Sequence, residues 1–200
     1  NDPFGRNIAG VPSKGNGDMA WVQHMIKSMN SNGRMAVVLP NGALSRKGKE
    51  KDIRKLLIER DLLETVIGLG HNIFYGTPLS PCILIFKNKK DYIKKNKVFF
   101  IDASDQIKIG RAKNYLEPEH VKKIFEQYKI YKDIESYTKI VSIDEIKANK
   151  YSLNISLYVE KIIEDNLPSV VEALSNLKTT WNDSSKSKKK LNDLLKEFLL

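Results

Sequence analysis

Met35-Ala36-Val37-Val38-Leu39, closed by Pro40-Asn41-Gly42, is the stretch that decides the fold. Five apolar residues in a row, with no polar alternation, are the pattern of a strand covered on both faces by helices. Pro40-Asn41-Gly42 breaks the strand. Upstream, Met19, Val22, Ile26 and Met29 recur at helical spacing over about 18–31. Asp18 is a good N-cap for that helix, and Asn32-Gly33 ends it. Downstream, Ile53, Leu56 and Leu57 mark the buried stripe of a second helix over about 48–60. Strands are expected at about 64–69 and 81–87, with the loop 70–80 between them and a last clear strand at Val98–Asp102. Helices alternating with buried strands give an α/β layered sheet.

The character changes after about residue 103. Glu117-Pro118 opens a helix near 117–132, and a shorter helix covers about 142–148. From about 157 the chain reads as wholly helical. Ile163, Leu167, Val170, Leu174, Leu177 and Trp181 follow spacings of 4, 3, 4, 3 and 4, a coiled-coil-like seam. Pro168 starts or kinks a helix. Asn182-Asp183-Ser184-Ser185 reads as a turn, and Leu191, Leu194, Leu195, Phe198 and Leu199 form a further apolar face. These helices either fold as a local hairpin or add their faces to helices of another chain. The domain reading is therefore 1–155 for the layered sheet and 156–200 for a helical assembly region.

The chain has 200 residues and a net charge of +10, which favours a polyanionic or acidic partner, although lysine-rich composition alone can produce it. Cys82 is the only cysteine, which excludes an intrachain disulfide and points to a cytoplasmic protein. Its apolar surroundings, Pro81 to Phe86, make it a buried structural thiol rather than a nucleophile. His24, His71 and His120 form no metal-ligand spacing. Apolar runs of about six residues fall far short of the roughly 20 that a membrane span needs. The lysines at 87–97 and at 186–190 read as solvated segments, with DNA phosphate contact as the alternative.

The tetrad Asn1-Asp2-Pro3-Phe4 has two readings. Asn-Asp-Pro is ordinary turn chemistry. It also places a side-chain amide oxygen, a backbone carbonyl and an aromatic ring together. Such a set can accept both hydrogens of an exocyclic amine, localise the nitrogen lone pair and stack on a flipped base.

The surrounding sequence resembles the modification subunits of type I restriction–modification systems, adenine-N6 DNA methyltransferases. The resemblance is carried by Gly15-Asn16-Gly17-Asp18-Met19-Ala20-Trp21-Val22-Gln23-His24-Met25, by Gly33 through Arg46, and by Ile53-Arg54-Lys55-Leu56-Leu57-Ile58-Glu59. It continues through Asn72-Ile73-Phe74-Tyr75-Gly76-Thr77, the strand 81–86 and Tyr151-Ser152-Leu153-Asn154-Ile155, covering about 1–160. It implies the carboxyl-terminal part of a Rossmann-like methyltransferase sheet followed by a helical tail. The family tetrad Asn-Pro-Pro-Phe falls on Asn1, Asp2, Pro3 and Phe4 as catalytic residues, with Asp2 replacing the first proline. The resemblance places Phe74 and Tyr75 as substrate-binding residues, Phe74 against a flipped base; an ordinary core phenylalanine is the alternative.

The resemblance further implies S-adenosylmethionine as cofactor. The family binds it through a glycine-rich turn and an acidic residue that have no counterpart here, so the cofactor half is expected to be missing. Gly68-x-Gly70 belongs to another part of the family, and Gly15-Asn16-Gly17 reads as a loop tip. The implied partners are DNA, the specificity subunit and the restriction subunit. Self-association is expected through strand 35–39, which would lie beside a missing strand preceding Asn1. The rival reading is a non-catalytic truncated subunit that binds DNA or the specificity subunit.

Overall fold

The computed structural model describes residues 2–161 and 168–198, with side chains in the final helix described through 196. The chain forms two compact units, 1–162 and 163–200. The first is built from α1 (Asp18–Ser28), β1 (Arg34–Pro40), α2 (Lys49–Glu59), β2 (Leu63–Leu69), β3 (Pro81–Lys87), β4 (Lys97–Ala103), α3 (Pro118–Ile130), β5 (Thr138–Ser142) and α4 (Ile143–Ala148). The second holds one helix, α5 (Val170–Phe198).

The five strands make one mixed sheet in the order β1-β3-β2-β4-β5. β3 is antiparallel to both β1 and β2, and β2 is parallel to β4. β1, β2 and β4 therefore run the same way, and their carboxyl ends at Pro40, Leu69 and Ala103 share one edge of the sheet. Side chains alternate between the faces. On one face Phe100 and Leu84 pack with Met19 and Ile26 of α1, Ile53 and Leu57 of α2, and Ile155. On the other, Phe99 and Ile101 pack with Ile124 of α3. Beside α3 that second face stays open over β1 and β3, leaving an apolar groove of about 430 Å³ lined by Met35, Ile83, Ile85, Leu116 and Phe125.

Several expectations change. β1 is not covered on both faces: it is an edge strand that pairs with β3 alone among the described residues, and Val38 is 52% exposed. Asp18 is the first helical residue of α1, behind Gly17 at the N-cap, and its carboxylate binds Arg46 at 2.7 Å instead of capping. Leu56 is 38% exposed, whereas Arg54 and Glu50 of the same helix are buried. Val98–Asp102 is followed by a further strand, β5, a short edge whose Thr-Lys-Ile-Val-Ser sequence alternates too briefly to announce itself.

The 87–97 lysines are only partly a solvated connection. Lys90 is buried, donates to the Asp61 carboxylate and to the Lys97 carbonyl, and is drawn below the ordinary lysine range by burial. Lys94 reaches buried Glu64 at 3.4 Å.

In the second unit, Asn182-Asp183-Ser184-Ser185 forms no turn, because α5 runs through it without a break, and no local hairpin forms among the described residues. Helical i,i+4 bonding overrides the turn preference of a short Asn/Asp/Ser cluster when both flanks are helical. Residues 157–161 are not α-helical, and α5 begins only at Val170. Ile163 and Leu167 of the expected seam lie outside the described residues.

Candidate active site

The carboxyl edge of a parallel strand set is where α/β sheets place their chemistry, because the loops that leave the strands converge there. The loop after β1 is held by Arg54. Its guanidinium donates to the carbonyls of Ala43 (3.2 Å), Arg46 (2.7 Å) and Tyr151 (3.4 Å). Arg46 in turn pairs with Asp18 at 2.7 Å and Glu50 at 3.4 Å. The Leu153 N–H donates to the Leu44 carbonyl at 2.8 Å, so segment 151–155 braces the same loop from behind. The Asn41 N–H donates to the Ser80 carbonyl at 3.0 Å, tying this loop to the end of the 70–80 loop.

The tetrad is a turn in the described residues. Asn1 itself lies outside them. The carboxylate oxygens of Asp2 accept from the N–H groups of Arg6 (2.9 Å) and Asn7 (2.8 Å), and these backbone bonds hold its pKa below the usual carboxylate range. The Asp2 carbonyl accepts from the Gly5 N–H at 3.2 Å, with one lone pair left over. The charge that replaces the family's proline is thus satisfied by its own loop. Pro3 lies within the turn. Phe4 is 70% exposed, with the Arg6 guanidinium 4.8 Å from its ring centre. Phe4 and Phe74 form no ring pair among the described residues.

The 70–80 loop presents two aromatics. Phe74 is 46% exposed, so it is not a core side chain. It lines an apolar recess of about 240 Å³ with Val38, Pro40, Thr77, Leu79 and Pro81, at the carboxyl end of β1. Tyr75 is 85% exposed, and the Lys113 ammonium sits 3.8 Å from its ring centre. The geometry at this edge is that of an open apolar shelf bordered by rings and cations, which suits a planar aromatic ligand with a charged backbone.

No residue described here makes a cofactor cradle of Gly68 and Gly70. A Cβ at Gly68 would meet Ile155 Cδ1 at 2.5 Å, and one at Gly70 would meet Ile107 Cγ2 at 2.3 Å. These glycines make room for the protein's own side chains. Among the described residues no group of His, Cys, Asp or Glu could hold a metal ion, and no helix is long and apolar enough to cross a membrane.

Sequence reasoning missed two functional supports. Arg54 was hidden because a lone arginine in a helix reads as surface, although it stands one residue after buried Ile53. Asn114, buried behind the 70–80 loop, had a fainter signal: it lies in a loop, 109–114, that carries Arg111 and Lys113 and no acid.

Residues 1–166 match the family model for N-6 DNA methylase. The type I restriction enzyme MjaVIII methylase subunit of Methanocaldococcus jannaschii is 41% identical over 174 residues, which are 84% of this chain and 30% of that protein. The MjaVII methylase subunit of the same organism is 38% identical over 158 residues, 78% of this chain and 27% of that protein. The crystal structure of a type I restriction–modification system methyltransferase subunit from Streptococcus thermophilus shares 37% identity and a TM-score of 0.72, covering 80% of this chain and 34% of that one. The chain thus spans about a third of the length of these relatives. With the match running unbroken from the tetrad through the sheet and past the 151–155 brace, this chain belongs to the N-6 DNA methylase family.

Proposed function

We propose that this chain serves as the carboxyl-terminal part of a type I modification subunit, and that the intact subunit transfers a methyl group from S-adenosylmethionine to adenine N6 in DNA. The observation that carries this reading is the family match over 1–166, which begins at the tetrad. Asn1 would accept one amine hydrogen through its side-chain oxygen and the Asp2 carbonyl the other, using its remaining lone pair. Holding both hydrogens favours a tetrahedral nitrogen with a localised lone pair. Phe4 would stack on the flipped base, and Phe74 and Tyr75 would border it from the 70–80 loop. S-adenosylmethionine supplies the methyl group. On this reading the rest of the intact subunit holds most of the cofactor, and Gly68 and Gly70, packed against Ile155 and Ile107, add no cradle for it. The free edge of β1 and the apolar groove beside it would adjoin that remaining part, and self-association of the isolated chain would use the same edge. The exposed stripe of α5 would join helices of the specificity subunit, which sets the DNA sequence, in an assembly completed by the restriction subunit.

The test is Asn1→Ala in the full-length subunit with its specificity subunit. Methylation should fall by about two orders of magnitude or more, the scale of a lost electrostatic contact in a catalytic site. DNA binding should change little. Methylation at near-normal rate would show the tetrad to be a turn and nothing more.

A further inference from the structure

The loops that leave β2 and β4 are built as one piece, and the outer one has no role in the reading above. β2 and β4 are parallel neighbours, so the segments after Leu69 and Ala103 emerge side by side. They approach so closely that only glycine fits at position 70, where a Cβ would also meet the Ser104 carbonyl at 2.9 Å. The outer segment turns tightly at Gly110, where a Cβ would meet the Lys113 carbonyl at 2.3 Å. Lys108 and Tyr115 close the turn with reciprocal backbone bonds of 2.8 and 2.9 Å.

Asn114, 4% exposed, fastens this turn to the 70–80 loop. Its amide donates to the His71 carbonyl at 3.0 Å and its backbone N–H to the Asn72 carbonyl at 2.7 Å. The Asn72 side chain donates back to the Ala112 carbonyl at 3.4 Å. Ordering an exposed loop costs conformational entropy, on the order of 1 kcal/mol or more per residue, and a buried, satisfied asparagine is how this chain offsets it.

What the fastened turn presents is positive charge among rings. From Gln106 to Leu116 the sequence has no acid. The acids on either side are already paired, Asp105 with Lys161 at 3.6 Å and Glu117 with Lys108 at 2.7 Å. Arg111 is exposed and makes no ion pair or hydrogen bond among the described residues. Lys113 has no carboxylate partner among the described residues; its ammonium lies 3.8 Å from the Tyr75 ring centre and 5.2 Å from that of Tyr115. Both rings are exposed, and an exposed cation–π contact is worth only about 0.5–1 kcal/mol, weak enough to yield to a phosphate.

We propose that the 109–114 turn is a nucleic-acid contact in which Arg111 and Lys113 take two backbone phosphates of DNA beside the Phe74–Tyr75 shelf. Aromatic faces with interleaved cations match nucleic-acid chemistry better than an acidic protein surface, which gives the rings nothing to stack on. The inference rests on DNA being the substrate of the proposed function, but its readout is binding and not methyl transfer.

The experiment is titration of the full chain with a fluorescent mixed-sequence DNA duplex over a series of salt concentrations. Arg111→Gln with Lys113→Gln should weaken binding by roughly tenfold or more near physiological salt. It should also flatten the slope of log affinity against log salt by about 2, since each phosphate contact contributes roughly 0.9. Lys122→Gln with Lys147→Gln removes the same charge from α3 and α4 and should leave the slope near the parent value. An unchanged slope in the first pair overturns the proposal. So does an equal loss in the second pair, which would reduce the effect to net charge. If the full-length subunit methylates nothing while the first pair still loses affinity as described, the contact stands and the proposed function fails.

Discussion

The sheet unit and α5 use similar residues to opposite ends. In the sheet, Phe99, Phe100, Ile101 and Leu84 are buried, and the unit closes two apolar clusters on its own. In α5, Val170, Leu174, Leu177, Trp181, Leu191, Leu194 and Leu195 are all exposed. Both segments carry an apolar pattern that suits their secondary structure, unbroken runs in the strands and a spacing near 3.5 in the helix. The sheet packs against helices of its own unit, and α5 is the one helix described in its unit. A single helix in water draws most of its stability from packing of its apolar face, so on the proposed reading the stripe of α5 is the surface that a partner chain would cover. Fold information in the first unit is largely self-contained, and in the second the proposed partner would supply the rest.

Alkaline pH should separate the two regions most widely. Burial pushes the Cys82 thiol up to about 12 from 9.0. Tyr128, Tyr131, Tyr137 and Tyr158 are likewise pushed up to about 12 from 10.0, chiefly by burial. All of these lie in the sheet unit, and the sequence of α5 contains no tyrosine or cysteine. Between the unfolded values and about 12 the folded unit keeps protons that the unfolded chain has released. Stability is therefore full below pH 9 and falls as pH rises through that window. The denaturation midpoint of the sheet unit should drop steeply between about pH 9 and about pH 12, a loss with no counterpart among tyrosines and cysteines in α5, since it has none. A midpoint that stays flat across the window would mean these groups are not sealed as the packing implies.

Substitutions should divide the regions next. Phe100→Ala removes a ring that is wholly buried against Tyr158, at 4.4 Å between centres, and should cost about 3–5 kcal/mol in denaturant unfolding. Leu174→Asp with Leu177→Asp should leave the unfolding of the sheet unit where it was, yet sharply weaken capture of a specificity subunit in a pull-down. Wild-type capture by the double variant would end the idea that this stripe is an assembly surface.

Much of this was legible in the sequence, and what escaped has physical causes. The helices stood out because their apolar residues keep a helical period, as in α1 and α2, and the central strands because they are unbroken apolar runs, as in β3. β5 escaped because five residues at a sheet edge need only one buried side. β1 misled because an unbroken apolar run records the environment a strand is built for, and here only β3 flanks it. The 182–185 turn misled because local turn chemistry was weighed without the helix that runs through it. At the site, exposure decided what pattern could not: Phe74 and Tyr75 stand at the surface, and the Asp2 carboxylate is occupied by its own loop. Arg54 and Asn114 stayed hidden because a buried polar residue shows its value only through the carbonyls it meets.

The smallest effect should come from the start of α5, where the helix carries a local support. The Glu172 N–H donates to Ser169 Oγ at 3.3 Å, and the Ser169 N–H donates to the Glu172 carboxylate at 2.8 Å, a reciprocal capping box. The Ser169 hydroxyl, which donates to the Glu172 carboxylate at 2.8 Å, and then the Ser169 N–H hold the Glu172 carboxyl below its ordinary range. Ser169→Ala removes the hydroxyl acceptor and should speed amide exchange over the first turns of α5 by roughly fivefold, the usual size of a lost N-cap. The core amides of β2 and β4 should exchange as before. The acceleration should also shrink when a partner covers the stripe, because packing then replaces the cap as the main restraint on the helix. Equal acceleration in β2 and β4 would show that the two units fold as one and would dissolve the contrast between them.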